Sequence, residues 1–574
     1  MSEWSAATRR QALEEMASRP LDVLVIGGGI TGAGTALDAA ARGYRVGLIE
    51  RADFASGTSS RSTKLVHGGI RYLPQFDLPL VREALLERGR LLRNAPHLVR
   101  PLAFILPLYG SARHPVGLTV APPKGIGLDL ILDTGLFMYD ELAGKENVGR
   151  HRRIDSQEVL ERARCLTGDD LKTGFVYYDA QTDDARLTLA VLRTAVDYGA
   201  LAANYTAATR FYRDESGRLA GVFVRQTLDS SDDTEFLLPA RHIVNATGVW
   251  AEQTERLAGD TPNLSIAPSK GTHLVLPREA LELGDEAIVL PETADGRIIF
   301  IVPWLSRALV GTTDDGVERI ADPVANDEEI DYLLGHLNKF IRRPVSRGDI
   351  VSTFAGYRPL LRLRKGRTPS RLSRTHTVVE SPDGMVTVSG GKLTTYRVMA
   401  QDVMDRIDIR EGRKKRHVTL NLRLRGAKDL AFTREHVEAR ARHLGLPSTA
   451  APHLVRTFGD DAMNVLALAE SDADLAQPLV ADLPYLGAEV VYACRQEMAL
   501  TVEDSLARRT RISLEDATRG LAIAQHVAAL MAREIGWSDA ETQRRVADFT
   551  EYAIKQAGPL SDRLESFGAP RYLS

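Results

Sequence analysis

Residues 21–26, LDVLVI, form a continuous apolar run of strand length, and RVGLIE at 45–50 forms a second. Between them GGGITGAG opens a helical stretch that ends at Arg42-Gly43. Strand, glycine turn, helix and strand within about thirty residues predict a βαβ unit with buried strands. Ahead of it, residues 1–20 read as a helix of mixed charge stopped by Pro20. Residues 84–140 mix helical periodicity with Pro- and Gly-rich pieces. ARHIVNATG (240–248) predicts another strand closing on a glycine turn, and THLVLP, RIIFIVPW and RALVGTTDD predict β-rich structure between 272 and 315. MVTVSGGKLTTYRVMAQDVM (385–404) reads as strand, double glycine and helix. From 426 strand patterns stop and helical periodicity runs to 557, with a capping box expected at Ser538–Glu541. No internal repeat or low-complexity tract interrupts this order.

Composition narrows the class. The 574 residues are 44% hydrophobic and 26% charged, with a net charge of −3, which is ordinary globular chemistry and no basic nucleic-acid binder. The two cysteines, Cys165 and Cys494, form no CxxC and exclude a disulfide scaffold or a cysteine-held zinc or iron–sulfur site. No metal site is expected. The first twenty residues lack an apolar signal core, and no run of about 18 uncharged apolar residues occurs, so neither secretion nor a spanning helix is expected. A reducing, cytoplasmic location fits best.

The first chemical motif is Gly27-x-Gly29-x-x-Gly32 between strand and helix, with Glu50 closing the next strand. The first glycine makes the turn, the second admits a pyrophosphate, the third lets helix pack on strand, and the acid suits ribose hydroxyls. This is dinucleotide chemistry. Thr58, Ser59, Ser60, Lys64, His67 and Gly68 follow at once as a polar, Gly-rich segment, and Thr247-Gly248 and Gly390-Gly391-Lys392-Leu393 each follow a strand. Several separated loops converging on one long ligand suit FAD better than NAD. The helix after Gly391 would aim its positive end at an anion, such as a reduced flavin.

The segments TSSRSTKLVHGGIRYL (58–73), DDARL (183–187), KGTHLV (270–275), GTTD (311–314), AGYRPL (355–360) and GGKLTTYR (390–397) resemble the FAD-dependent glycerol-3-phosphate dehydrogenase family, within the D-amino-acid-oxidase-like flavoproteins. GLFMYD (135–140) and EMALTVEDSLARRTRI (497–512) extend the resemblance, the latter to the family's helical cap domain. The resemblance implies an α/β fold: a doubly wound FAD-binding domain with an inserted β-rich substrate domain and an α-helical C-terminal cap domain. The expected boundaries are an N-terminal extension at 1–20; FAD-binding parts at 21–83, 163–249 and 360–410; substrate parts at 84–162 and 250–359; and the cap at 426–574. Two family features are missing: an EF-hand after the cap, found in animal mitochondrial relatives, and a cysteine pair.

Oxidising a secondary alcohol requires loss of a hydride from carbon and a proton from oxygen. His273 is suited to be the base. The family places Arg71, Arg358 and Lys392 around the flavin, where cations suit a phosphorylated substrate. Tyr72 and Thr313 are suited to donate hydrogen bonds to that phosphate. The resemblance therefore implies FAD-dependent oxidation of sn-glycerol 3-phosphate to dihydroxyacetone phosphate, with electrons passed to a membrane quinone. An oxidase using O2, a flavin oxidoreductase of a 2-hydroxy or amino acid, and a non-enzymatic flavoprotein stay open as alternatives, as does a homodimer. Two basic runs, 358–374 and 413–416, read as solvated surface or as attraction to an anionic membrane face, with the protein peripheral on the inner side of the cell membrane. No aromatic platform accompanies them, so nucleic acid is not a partner.

Overall fold

The computed structural model of the chain describes every residue except 1–2, 76, 111–126, 230–232, 260–261, 263, 292, 294–295, 362–375 and 568–574, and only the backbone of 71, 74, 75, 565 and 566. Two sheets organise the body. In the first, the strands Val386–Ser389, Glu235–Asn245, Leu21–Ile26, Val46–Ile49 and Leu201–Ala203 lie side by side and parallel, with Thr377–Glu380 antiparallel at one edge. The strands Leu21–Ile26, Val46–Ile49 and Val386–Ser389 are almost wholly buried, as continuous apolar runs in a doubly covered parallel sheet must be. The helix Ile30–Ala41 packs on one face beside the helices Asp184–Asp197 and Tyr396–Arg410. The antiparallel strands Thr206–Arg213 and Leu219–Gln226 help to cover the other face.

The N-terminal helix, Ala6–Ser18, belongs to that second face. It buries Ala12, Leu13 and Met16 against Leu21, Leu24 and Ile243. Arg9 fixes it further, donating to the carbonyls of Asn204 (2.8 Å) and Tyr205 (3.0 Å). The extension is thus an integral layer on the first sheet.

Among the described residues the second sheet has ten strands. Its strand Ile266–Pro277 pairs antiparallel with Ser352–Leu361 over its length, setting His273 opposite Phe354 and Ser269 opposite Arg358. Alternation then puts Ser269, Gly271 and His273 on one face, together with Phe354, Gly356 and Arg358. The strand Leu171–Gln181 also lies in this sheet, antiparallel to Arg100–Tyr109. This corrects the expected boundary at 163. Only the helix Asp184–Asp197 that follows it packs on the first sheet. Leu65–Val66 likewise pairs in the second sheet, inside a span expected to be flavin domain.

From Leu430 the chain is helical, and its core is closed by Leu454, Val465, Val490, Val527 and Phe549. The Ser538 hydroxyl accepts from the Glu541 amide at 3.2 Å, capping the helix Asp539–Ala557. This domain docks through buried charge. Asp53 meets Arg508 and Arg509, Asp184 meets Lys64 and Arg511, and Arg186 meets Glu497. Arg508 and Arg509 sit in a π-helical turn, Asp504–Arg509, whose wider winding lets both adjacent guanidiniums reach one carboxylate.

Candidate functional site

A cavity of about 930 Å3 lies at the carboxyl ends of the parallel strands, at the upper end of the size expected for a cofactor site. Gly27 turns the chain at φ +112°, and a Cβ there would stand 2.6 Å from the Ala246 carbonyl oxygen. Gly32 lies against the same turn, its missing Cβ 1.8 Å from the Gly27 carbonyl oxygen. Gly29 faces the cavity and precedes the helix Ile30–Ala41, whose first amide is accepted by the Ser59 hydroxyl at 2.9 Å. Glu50 accepts the Gly28 and Ala52 amides at 2.7 and 2.9 Å, so its carboxylate is fixed at the strand end. These residues fit a dinucleotide: an open glycine edge and helix N-terminus for the pyrophosphate, and an oriented acid for a ribose.

Thr58, His67, Thr247, Gly248, Gly390, Gly391 and Leu393 line the same cavity. Thr58 donates to the Tyr357 carbonyl at 2.7 Å, and Thr247 to Asn245 Oδ1 at 2.7 Å, so both hydroxyls hold loops in place. Other expected cofactor residues are turned elsewhere. Gly68 packs against Leu85 and Tyr139, and the Ser60 carbonyl accepts from Lys64 at 2.6 Å. Lys64 itself is fully buried and paired to Asp184 at 2.8 Å, outside the cavity lining. Burial pushes its ammonium down to about 8, against the pull of Asp184.

His273 is 2% exposed at the inner wall. Its ring stacks on Phe354 at 4.6 Å and 6°, and its Nε2 lies 3.0 Å from the Thr63 hydroxyl. Burial first, then the charges of Lys64 and Arg358, hold the imidazole well below its usual range. It is therefore neutral at neutral pH, as a base must be. Its Nδ1 is buried without a hydrogen-bond partner among the described residues.

Arg358 reaches back along the strand from its place opposite Ser269. Its guanidinium occupies the space where a Cβ of Gly271 would be, 2.6 Å from Nη2, beside His273. It donates to Asp314 Oδ1 (2.9 Å), Thr312 Oγ1 (3.2 Å) and the Thr313 carbonyl (3.2 Å), which fix its orientation. Lys392 lines the cavity with its ammonium 4.2 Å from the centre of the Tyr72 ring. Thr313 does not reach the cavity. Its hydroxyl accepts the Thr272 amide at 2.9 Å and donates to Glu329 at 3.3 Å. The Arg71 side chain lies outside the described residues, as does most of the basic run at 358–374.

The sequence reading missed several lining residues. Arg51 stacks over Trp250 at 4.5 Å at one end, directly after Glu50, and Thr63 supports His273. Glu551, Tyr552 and Gln556 enter from the C-terminal helix Asp539–Ala557. No local signal marks those last residues, because what places them is docking of the domain.

Residues 22–397 match the family described as FAD dependent oxidoreductase, and residues 417–542 match the C-terminal domain of alpha-glycerophosphate oxidase. The chain is 39% identical over 549 residues to glycerol-3-phosphate dehydrogenase 2 of Mycobacterium tuberculosis, covering 95% of this chain and 90% of the relative. It is 35% identical to the mitochondrial glycerol-3-phosphate dehydrogenase of Rattus norvegicus, covering 94% and 74%. The structure of glycerol-3-phosphate dehydrogenase from Bacillus halodurans, complexed with FAD, is similar at a TM-score of 0.77 and 30% identity, over 96% of this chain and 98% of that one. The dinucleotide that fits the glycine edge and Glu50 is FAD. The chain belongs to the FAD-dependent glycerol-3-phosphate dehydrogenase family.

Proposed function

We propose that the chain oxidises sn-glycerol 3-phosphate to dihydroxyacetone phosphate. The observation that carries this reading is the meeting of a neutral, buried imidazole, His273, with the cations Arg358 and Lys392 in the cofactor cavity. Its relatives, named as glycerol-3-phosphate dehydrogenases, support the same substrate. FAD, held at the glycine edge of Gly27, Gly29 and Gly32 and by Glu50, would supply the hydride acceptor. His273 takes the hydroxyl proton by way of the Thr63 hydroxyl, which passes its own proton to Nε2 as it receives the substrate's. Arg358 and Lys392, with Arg71 and Tyr72, hold the phosphate and steady the developing negative charge. The test is anaerobic bleaching of the flavin band by glycerol 3-phosphate and not by glycerol. Bleaching by a 2-hydroxy or amino acid instead overturns the substrate assignment, and a flavin that no substrate bleaches leaves a non-enzymatic flavoprotein.

Arg358→Ala is expected to lower kcat/KM for glycerol 3-phosphate by about 2–5 kcal/mol, the cost of removing one partner of a buried charge contact. FAD content should survive, because the guanidinium is held by Thr312, Thr313 and Asp314 rather than by the glycine turns. Undiminished kcat/KM in fully flavinylated protein would remove Arg358 from the site.

The pH profile gives a second check. Because the folded pKa of His273 is depressed, the base stays neutral as pH falls through about 6.5, the ordinary imidazole value. With the substrate phosphate's own ionisation near about pH 6 corrected for, the acid limb of kcat/KM is expected below about 6.5. A limb at the ordinary value that persists in His273→Ala would assign the base elsewhere.

Electrons pass on to a quinone, with the chain peripheral on the inner face of the cell membrane. Supporting this, Leu130 and Phe137 on the helix Leu128–Ala143 are 60% and 51% exposed, and the run at 413–416 is exposed. Among the described residues no helix is long and apolar enough to cross a membrane. Oxygen consumption with and without quinone separates this from the oxidase reading, which the name of the matched C-terminal domain favours.

A further inference from the structure

A second, smaller cleft lies on the seam between the body and the C-terminal domain, away from the cofactor cavity. It is lined by Arg100 at the start of the strand Arg100–Tyr109, by Trp304 and Leu305, and by His453, Arg456 and Thr457 of the helix Ala450–Phe458. Arg186, Arg509 and Arg511 close its floor, and each is paired: with Glu497, with Asp53, and with Asp183 and Asp184. Arg100 and Arg456 are different. Both are half-buried, and neither guanidinium makes a hydrogen bond or ion pair with any described residue. The Nε of Arg100 is buried without an acceptor. Burial, then the like charge of Arg456, pushes the Arg100 guanidinium down to about 10. Glu515 and Asp285, the acids whose charges reach Arg456, are already engaged, the first by the Ser306 and Tyr485 hydroxyls and the second by Arg278.

Asp183 also lines the cleft but is engaged by Arg511, so the Arg100 and Arg456 guanidiniums face it without an acid of their own and repel each other, and the buried Nε of Arg100 lacks an acceptor. A covalent fold does not need such a pair at a domain seam, and one negative ligand satisfies both. We propose that this cleft binds an oxyanion, a phosphate group or a carboxylate, held between Arg100 of the body and Arg456 of the C-terminal domain. The Thr457 hydroxyl lies at the same cleft as a further donor. The free volume, about 20 Å3, is that of one or two oxygen atoms. The anion therefore enters by its oxygens while the rest of the ligand stays in solvent, which excludes a buried nucleotide base or sugar. Bridging two domains, the ligand stabilises the docked arrangement by mass action.

The test is a thermal unfolding titration of the holoenzyme with inorganic phosphate, at constant ionic strength balanced with sodium chloride, with sulfate and acetate arms to separate oxyanion classes. The parent midpoint is expected to rise and saturate. Arg100→Gln and Arg456→Gln should each weaken the apparent affinity about tenfold or more, as loss of one charge-assisted contact does, and the double variant made in an Arg358→Ala background, where the cofactor cavity no longer competes for phosphate, should not respond. Without phosphate, the double variant should unfold no earlier than the parent, because a repulsion has been removed. Arg358→Ala should keep the response, which separates this cleft from the cofactor cavity. A parent with no response, an unchanged titration in the double variant, or a response lost only in Arg358→Ala would overturn the proposal.

Discussion

Gly29→Val is expected to give a folded but colourless protein. A Cβ on Gly29 meets only the Ser59 hydroxyl at 3.0 Å, a group that can turn aside, and the backbone there is extended, so the chain tolerates the side chain. The space it fills is the cavity edge, where the helix N-terminus meets the FAD pyrophosphate. Branched carbons at that edge hold the phosphates off the amides. Loss of FAD affinity should exceed about a thousandfold, about 4 kcal/mol. The comparison is Gly32→Val, in which Cβ would stand 1.8 Å from the Gly27 carbonyl oxygen. There the βα turn itself cannot close, and folding fails. Flavin absorbance per chain and circular dichroism distinguish the two outcomes. Stoichiometrically yellow Gly29→Val protein would disprove the placement of the pyrophosphate.

That contrast also shows what was legible in the sequence. Gly27, Gly29, Gly32 and Glu50 could be read in place because the turn they form is set by the strand, helix and strand of one βαβ unit. The loops after Asn245 and Ser389 were legible for the same reason: each is a strand end in a parallel sheet, and such ends share one edge. Lys64 was not. Its loop is polar and lies beside cofactor residues, but its ammonium is set by Asp184, 120 residues away. Thr313 sits in a motif of the family and was read as a phosphate donor, yet its hydroxyl links Thr272 to Glu329 across the sheet. The sheet to which the strand Leu171–Gln181 belongs was not legible either, since a buried strand before a helix reads alike in either sheet. Periodicity identifies an element but not its neighbour. The run Arg508-Arg509-x-Arg511 did carry a signal. Three arginines within a helical stretch, facing buried positions, need acids from elsewhere.

Asp53 is the acid on which two of those arginines converge, and Asp53→Ala is expected to be the most destabilising single change at the domain seam. Its carboxylate is 1% exposed and accepts from Arg508 Nε at 2.5 Å, from Arg509 Nη2 at 2.9 Å and from Asn204 Nδ2 at 3.0 Å. Burial alone would raise its pKa, but Arg509 and Arg508 outweigh burial and hold it below the usual range. Removing it leaves two guanidiniums in a dry seam. Arg508 keeps Glu503 and Asp504, and Arg509 keeps the Glu497 carbonyl, so the loss is partial. The expected cost is about 3–5 kcal/mol, that of breaking a buried pair from one side. The double change Asp53→Ala with Arg509→Met should cost less than the sum of the two single changes, because the stranded charge is then absent. The pH dependence has a definite sign. Since the folded pKa is depressed, the contribution of Asp53 is fully present above its unfolded value of about 3.9 and fades as pH falls through the folded one. The parent should therefore lose stability on acidification across that window more steeply than the variant. Loosening at Asp53 also reaches the cofactor. The next residue, Phe54, packs against Gly28 and stacks on Trp4 at 5.1 Å, and Glu50 anchors the Gly28 amide. FAD should therefore dissociate faster from Asp53→Ala, and the C-terminal domain should become a protease target. A variant whose unfolding midpoint in urea matches the parent's would show that docking does not depend on this carboxylate.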